Sequence, residues 1–319
     1  MSHPGISQSL VHTMTSENNV LLSFSNQLAD AVEQAGQSVV AVNARRRHAS
    51  SGVYWRSGIV VTADHTVNRD EEISVTLPDG RSVSASVAGR DSGTDLALLK
   101  LQDVELPIAQ IGESSALRVG EMVLAIARSS EGATSASMGV IGSIGGSWRS
   151  WHGGRIDQFI RPSLNLYPGF SGGSLVNAQG QVIGINTAGP RHMTLSIPVA
   201  TVNRIVDQLL QTGRVARGYL GLGMQPVRLP ETLAQSLNLP KSGGVIVVSI
   251  EPNGPGDQAG VLLGDIITAL NGAAIADIGD VHAALDPDRV GHPTTAQIIR
   301  GGALIEVTII VGERPGREG

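Results

Sequence analysis

Among its 319 residues the chain has no cysteine, which excludes disulfides, thiol nucleophiles and thiolate metal sites. Aromatic residues make up only 3%, so any core must be built from Val, Ile, Leu and Ala. No apolar run reaches the roughly 18 residues that a membrane-spanning helix needs, and none is expected. The one basic cluster is Arg45-Arg46-Arg47 against a net charge of −5, a balance that argues against nucleic-acid binding. No phosphate-cradling glycine loop ending in Lys-Ser/Thr is present, so ATP is not expected, nor is any other cofactor or metal. The first residues, MSHPGISQSLVHTMTSENN, lack a basic start followed by an apolar core. No secretory signal is visible, and the expected compartment is the cytoplasm. If a leader segment precedes residue 1, the alternative is the periplasm or cell envelope.

Glycine, by contrast, is abundant, with 40 copies, and β-branched residues recur in short runs. Residues 1–19 are polar and are expected to be disordered. Leu21, Phe24, Leu28, Val32 and Ala35 then fall at helical spacing, and their apolar face is expected to pack on the chain's own domain, the alternative being an oligomer contact. From Ser38 to Thr187 the runs SVVAVNA, GIVVT, LALLKL, MVLAIA and QVIGINT read as strands, and ISVTLPDGRSVSASVAG as a hairpin turning at Asp79-Gly80. Eleven or twelve short strands at close spacing predict paired antiparallel barrels. Val202, Ile205, Val206, Leu209 and Leu210 line one face of a helix that Gly213 can cap. A linker at 214–218 leads to a second, α+β unit at 219–313 with strands in GVIVVSI, DIITAL, TAQIIR and IEVTIIV, followed by a tail at 314–319. The first unit then covers residues 20–213.

The chemistry centres on PGFSGGSLV, Pro168 to Val176. Gly169 to Gly173 satisfies Gly-x-Ser-x-Gly, but the flanking pattern is strand–turn–strand rather than strand–elbow–helix, so the α/β-hydrolase context fails. A serine nucleophile at Ser171 needs a base and an acid to orient that base. Of the eight histidines only His65 follows a β run, GIVVTAD, that delivers it to a loop edge. For the acid, Asp95 opens the alternating strand LALLKL and Asp91 is its rival. The order His, Asp, Ser matches one of the three unrelated triad orders.

The blocks VVTADH, GTDLALLKL and YPGFSGGSLVNAQGQVIGINTAG resemble the three catalytic blocks of the HtrA/Deg family of serine proteases. GYLGLGM and GVIVVSIEPNGPGDQAGVLLGDIITALNG resemble that family's PDZ domain, and the likeness runs over residues 20–313. It implies a mainly β fold, a chymotrypsin-like double β-barrel followed by a C-terminal PDZ domain. It also implies Ser171 as nucleophile, His65 as base and Asp95 as its orienter. The oxyanion hole falls to the amides of Gly169 and Ser171, with that of Phe170 nearby. Met193, Thr194 and Leu195 are implied in the primary pocket, with Arg191 and His192 just upstream as candidates for a regulatory loop. Peptide binding falls to Arg217, Tyr219, Leu220, Gly221 and Leu222.

Phe170 stands where the family usually has Asn, and is expected to reshape the site near the leaving group. Ser174 stands where it usually has Pro, and is expected to loosen the loop. The resemblance implies an ATP-independent endopeptidase acting on unfolded protein and peptides, with C-terminal peptides at the PDZ domain and a homotrimer or larger assembly. The alternative is a chaperone-like or peptide-sensing scaffold with a dormant catalytic centre.

Overall fold

A computed structural model describes residues 19–45, 48–150, 153–189, 193–215, 218–240, 242–285 and 289–313. Residues 1–18, Arg191, His192, Arg217 and the 314–319 tail lie outside the described residues. Asn19, expected within the disordered segment, caps the first helix: its side chain accepts from the N–H groups of Leu21 and Leu22. That helix, α1 (Val20–Gly36), buries Ala31, Ala35 and Gly36. Leu21 is 78% and Phe24 43% exposed, so the expected packing of the apolar face on its own domain holds only for the C-terminal half.

Contacts divide the chain into two compact units: residues 1–87, 97–146 and 158–202, and residues 88–96, 147–157 and 203–319. In the first, β1 (Val39–Asn43), β2 (Ser50–Arg56), β3 (Ile59–Ala63), β4 (Ile73–Thr76), β5 (Ser82–Asp91) and β6 (Leu96–Leu101) close into a barrel in the order β1-β2-β3-β6-β5-β4. Val40, Val42, Tyr54, Val60, Val75 and Leu99 fill it. β6 does not alternate as expected: Leu96, Ala97, Leu98 and Leu99 are all 0% exposed, because both faces of this strand are covered. A second barrel takes β7 (Met122–Arg128) and β8 (Thr134–Gly145), then, beyond the short hairpin β9 (Trp148–Arg149) and β10 (Arg155–Ile156), β11 (Phe159–Ser163), β12 (Ser174–Val176), β13 (Val182–Ala188) and β14 (Thr194–Pro198). It closes as β11-β14-β13-β12-β7-β8. Helix α2 (Val199–Thr212) buries Val202, Ile205, Val206 and Leu209. Leu210, expected on that face, is 43% exposed.

The C-terminal unit is built from β15 (Gly218–Tyr219), β16 (Leu222–Arg228), α3 (Glu231–Ser236), β17 (Gly243–Ile250), α4 (Pro255–Gln258), β18 (Ile266–Leu270), β19 (Ala273–Ala274), α5 (Ile278–Ala284), β20 (Pro293–Arg300), β21 (Ala303–Ile310) and β22 (Gly312–Glu313). Its main sheet runs β16-β17-β18-β20-β21, with β19 on β18, while β15 pairs with β22. Leu220, Val245, Val247, Ile267 and Ile298 make its core. Asp265, buried, receives a two-pronged pair from Arg300. Among the described residues no helix is long and apolar enough to cross a membrane.

Candidate active site

Ser171 sits just beyond a turn that the sequence dictates. Pro168 fixes φ at the first central position and Gly169 supplies φ +101 at the second, while the Phe170 N–H donates to Tyr167 O at 3.1 Å. This is the signature of a type II turn. The Phe170 amide, expected near the oxyanion hole, is committed to the turn. Among the described residues the N–H groups of Gly169 and Ser171 donate to no protein acceptor. Two unclaimed amides on either side of Phe170 in a tight loop can bind an oxyanion.

The serine loop is wedged against the end of β3. Gly172, at φ +82, lies so close to Ser51 O and Thr62 Oγ1 that a Cβ would collide with both. Three residues beyond Thr62, His65 rides a single 3₁₀ turn, Asp64–Thr66. That turn is tied back by Thr66 Oγ1 donating to Ala63 O at 2.7 Å and by the Val67 N–H donating to Asp64 O at 2.9 Å. β3 is buried throughout, and it delivers an exposed imidazole at its end.

Asp95 and its rival Asp91 belong to the other compact unit. The Asp91 carboxylate closes its own turn, accepting from the Gly93 N–H, the Thr94 N–H and Thr94 Oγ1. Asp95, half-buried just before β6, holds a left-handed φ of +59. For a non-glycine residue that conformation costs about 1–3 kcal/mol and tends to persist where geometry matters.

The two departures behave differently from expectation. The Phe170 side chain is buried in the second barrel's core with Val123, Ile141 and Ile183, and its ring meets Tyr167 edge-on at 6.0 Å. The expectation placed this ring near the leaving group; it is only 4% exposed and belongs to the apolar core cluster. Ser174 does not loosen the loop: it is fully buried in β12, paired with Ile126 and Ile185 on either side. Its hydroxyl finds no partner among the described residues.

Of the pocket residues, Leu195 is buried and pairs with Thr187, Thr194 pairs with Ala188, and Met193 O accepts from the Gly189 N–H. At the second domain, Tyr219 donates its hydroxyl to Glu251 Oε2 at 2.7 Å. Gly221, at φ +68, is anchored by its carbonyl to the Glu251 N–H. Among the described residues the N–H groups of Leu220 and Gly221 donate to no protein acceptor. Leu220 itself is core, and Leu222 opens the edge strand β16. A cavity of about 540 Å³ lies beside α1, lined by Leu28, Val32, Arg128 and Thr134 among others. It contains none of the predicted site residues.

Sequence reasoning missed Ser51 and Asn186, both fully buried and both bonded to the serine loop. Ser51 offered only an ordinary serine in SSGV, and Asn186 only a polar residue inside a strand.

A trypsin-like peptidase family model matches residues 50–185, and a PDZ domain model matches 218–311. A "probable periplasmic serine endoprotease DegP-like" of Chlamydia pneumoniae is 34% identical over 268 residues, 82% of this chain and 54% of that protein. Its namesake in Pseudomonas putida is 34% identical over 264 residues, with 81% and 54% coverage. The chain thus spans about half the length of these curated relatives. Among solved structures, the HtrA-type protease AlgW with tripeptide is 30% identical at TM-score 0.70, covering 91% of this chain and 98% of its own. The serine endoprotease from Yersinia pestis is 29% identical at TM-score 0.71, with 91% and 98% coverage.

Proposed function

Since the chain belongs to the HtrA/Deg family of serine proteases, we propose that it is a serine endopeptidase cutting unfolded protein by acyl transfer at Ser171. Ser171 Oγ attacks the scissile carbonyl while His65 takes its proton, and Asp95 orients the imidazole. The oxyanion settles on the N–H groups of Gly169 and Ser171. His65 then returns the proton to the leaving amine, and water releases the acyl group. The observation that carries this reading is the pair of unclaimed amides flanking Phe170, held by a type II turn directly before the serine. Leu195 and Met193, with no acidic residue among the pocket candidates, favour small or medium aliphatic side chains before the cut bond.

The second domain is the tether. The unclaimed amides of Leu220 and Gly221 suit a terminal carboxylate, and β16, at the sheet's edge, offers a ladder for an added strand. Tethering raises the local substrate concentration without any change at the serine. The exposed apolar first turns of α1 make it a candidate contact in a homo-oligomer.

The test is degradation of reduced casein by the unmodified chain and by Ser171→Ala, His65→Ala and Asp95→Ala. Cleavage by the unmodified chain alone is expected. Silence of all four, with Ser171→Ala still binding casein, would make the protein a binder with a dormant centre. Cleavage by Ser171→Ala would overturn the nucleophile.

A further inference from the structure

The serine loop does not hold its own shape. Among the described residues its one internal hydrogen bond beyond the turn is from the Gly173 N–H to Phe170 O, at 3.0 Å. The rest of its anchoring comes from two side-chain-bearing residues on opposite barrels.

Ser51, on β2 of the first barrel, is 0% exposed. Its hydroxyl donates to Gly169 O at 2.8 Å and accepts from the Arg128 N–H at 3.0 Å. Its own N–H donates to Ser171 O at 3.0 Å, and its carbonyl accepts from Thr62 Oγ1 at 2.6 Å. Every polar atom of this residue is thus in use, and two of its bonds reach the carbonyls of the two residues whose amides must stay free. Asn186, on β13 of the second barrel, is also 0% exposed. Its N–H donates to Gly173 O at 2.8 Å, its carbonyl accepts from the Gly172 N–H at 2.8 Å, and its Nδ2 donates to Ser174 O at 2.7 Å. Ser196 Oγ, donating to Asn186 Oδ1 at 2.9 Å, fixes the amide in that orientation.

Resting on the reading of Ser171 as nucleophile, we propose that Ser51 and Asn186 are positioning residues that preset the oxyanion hole by clamping the loop's carbonyls from both sides. The physical content is directional. The Gly169 carbonyl and the Ser171 carbonyl are each pinned by a donor of Ser51. Those carbonyls belong to the Gly169–Phe170 and Ser171–Gly172 peptide planes, so rotating either would break a buried hydrogen bond and leave an unsatisfied carbonyl. The Phe170–Ser171 plane between them, which carries the Ser171 N–H, is held by the Gly173 N–H on Phe170 O. Without the Ser51 hydroxyl, the plane carrying Gly169 O is released and the adjacent loop geometry is no longer fixed. Displacement of a reacting group by about 1 Å can cost about 100-fold in rate, and loss of one oxyanion donor about 100- to 1000-fold.

Ser51→Ala is the discriminating variant, since it removes one oxygen and leaves the Ser51 N–H bond to Ser171 intact. Ser51→Cys keeps nearly the same size with a weak donor. Asn186→Ala is the partner variant for the other side. The readouts are kcat and KM on a short peptide, the rate at which a fluorophosphonate labels Ser171 by mass spectrometry, and the melting temperature. For Ser51→Ala the expected result is a kcat and a labelling rate lowered about 10- to 100-fold, with KM within about twofold. Ser51→Cys should fall in between. Equal kcat and labelling in Ser51→Ala and the unmodified chain would overturn the clamp while leaving the nucleophile standing. A rise in KM at constant kcat would also overturn it, because the residue would then serve substrate binding. Failure of the unmodified chain to take the label at Ser171 would overturn the underlying reading itself. Asn186→Ala is expected to lower kcat and labelling in the same way, and where it fails to fold Ser196→Ala, which removes only the bond fixing the Asn186 amide, is read instead. Unchanged kcat and labelling in the folded variant would overturn Asn186's part in the clamp.

Discussion

Phe170 illustrates how one side chain can change its allegiance. Next to a nucleophile it is positioned to alter chemistry, yet its ring belongs to the second barrel's core and is only 4% exposed. Phe170→Asn, which restores the residue usual in the family, is therefore expected to destabilise the protein by about 3–5 kcal/mol, measured by urea unfolding. It removes a buried ring and places an amide among Val123, Ile141 and Ile183. The tight loop around Ser171 was legible in the sequence because glycines on both sides of a serine have few structural uses other than a sharply turning, amide-exposing loop, and Gly169 and Gly172 do take positive φ. The difference between Asp91 and Asp95 was not, since nothing local says that Asp91 ends β5 with its carboxylate closing its own turn while Asp95 stands just before β6. Ser51 and Asn186 were invisible for a related reason. A buried polar residue declares itself through partners more than a hundred residues away in one case and on a neighbouring strand in the other, and no local pattern encodes those.

Among the elements, strands rich in Val and Ile were read correctly, and so was the Asp79-Gly80 turn, where Gly80 takes φ +84. β8 was harder. Thr134–Gly145 is the longest strand of its barrel, but Gly and Ser make up half of it and it reads as loop; pairing with β7 on one side and β11 on the other makes it a strand. Helix α1 was legible as a helix but not in its burial, because periodicity cannot tell which turns meet the barrel. Its exposed Val20, Leu21, Leu22 and Phe24 lead to an expectation at this scale: Phe24→Asp shifts the assembly towards smaller species in size-exclusion chromatography with light scattering, with little change in melting temperature.

The C-terminal sheet supplies another. Burial pushes the Asp265 carboxyl up, but hydrogen bonds from Arg300 and the Leu262 N–H, with the Arg300 charge, outweigh it and hold the group below its ordinary value. A lowered native value means the stabilisation is present above about pH 4, where the unfolded carboxyl is also ionised, and is lost as pH falls through the native value. Asp265→Asn should cost about 3 kcal/mol at neutral pH and flatten the acid limb of the unfolding curve; an unchanged acid limb would count against the pair.

For the whole molecule, division of labour is the expectation to test. Truncation after residue 215 is expected to leave cleavage of a short peptide intact and to abolish binding of peptides bearing a free apolar C-terminus, read by fluorescence polarisation. Loss of both together would mean that the C-terminal unit is needed to complete the site.

The two-sided seat of the serine loop has a consequence in time. Ser51 lies 120 residues ahead of Ser171, whereas Asn186 and its fixing partner Ser196 follow it. On the ribosome the first barrel's strands emerge complete while the loop still lacks its second wall. A half-made chain is itself an unfolded polypeptide, the very class of substrate proposed here. With the loop's second wall supplied only by β13 and β14, the clamp proposed here predicts that a growing chain stays harmless to its neighbours until it has ceased to resemble their prey.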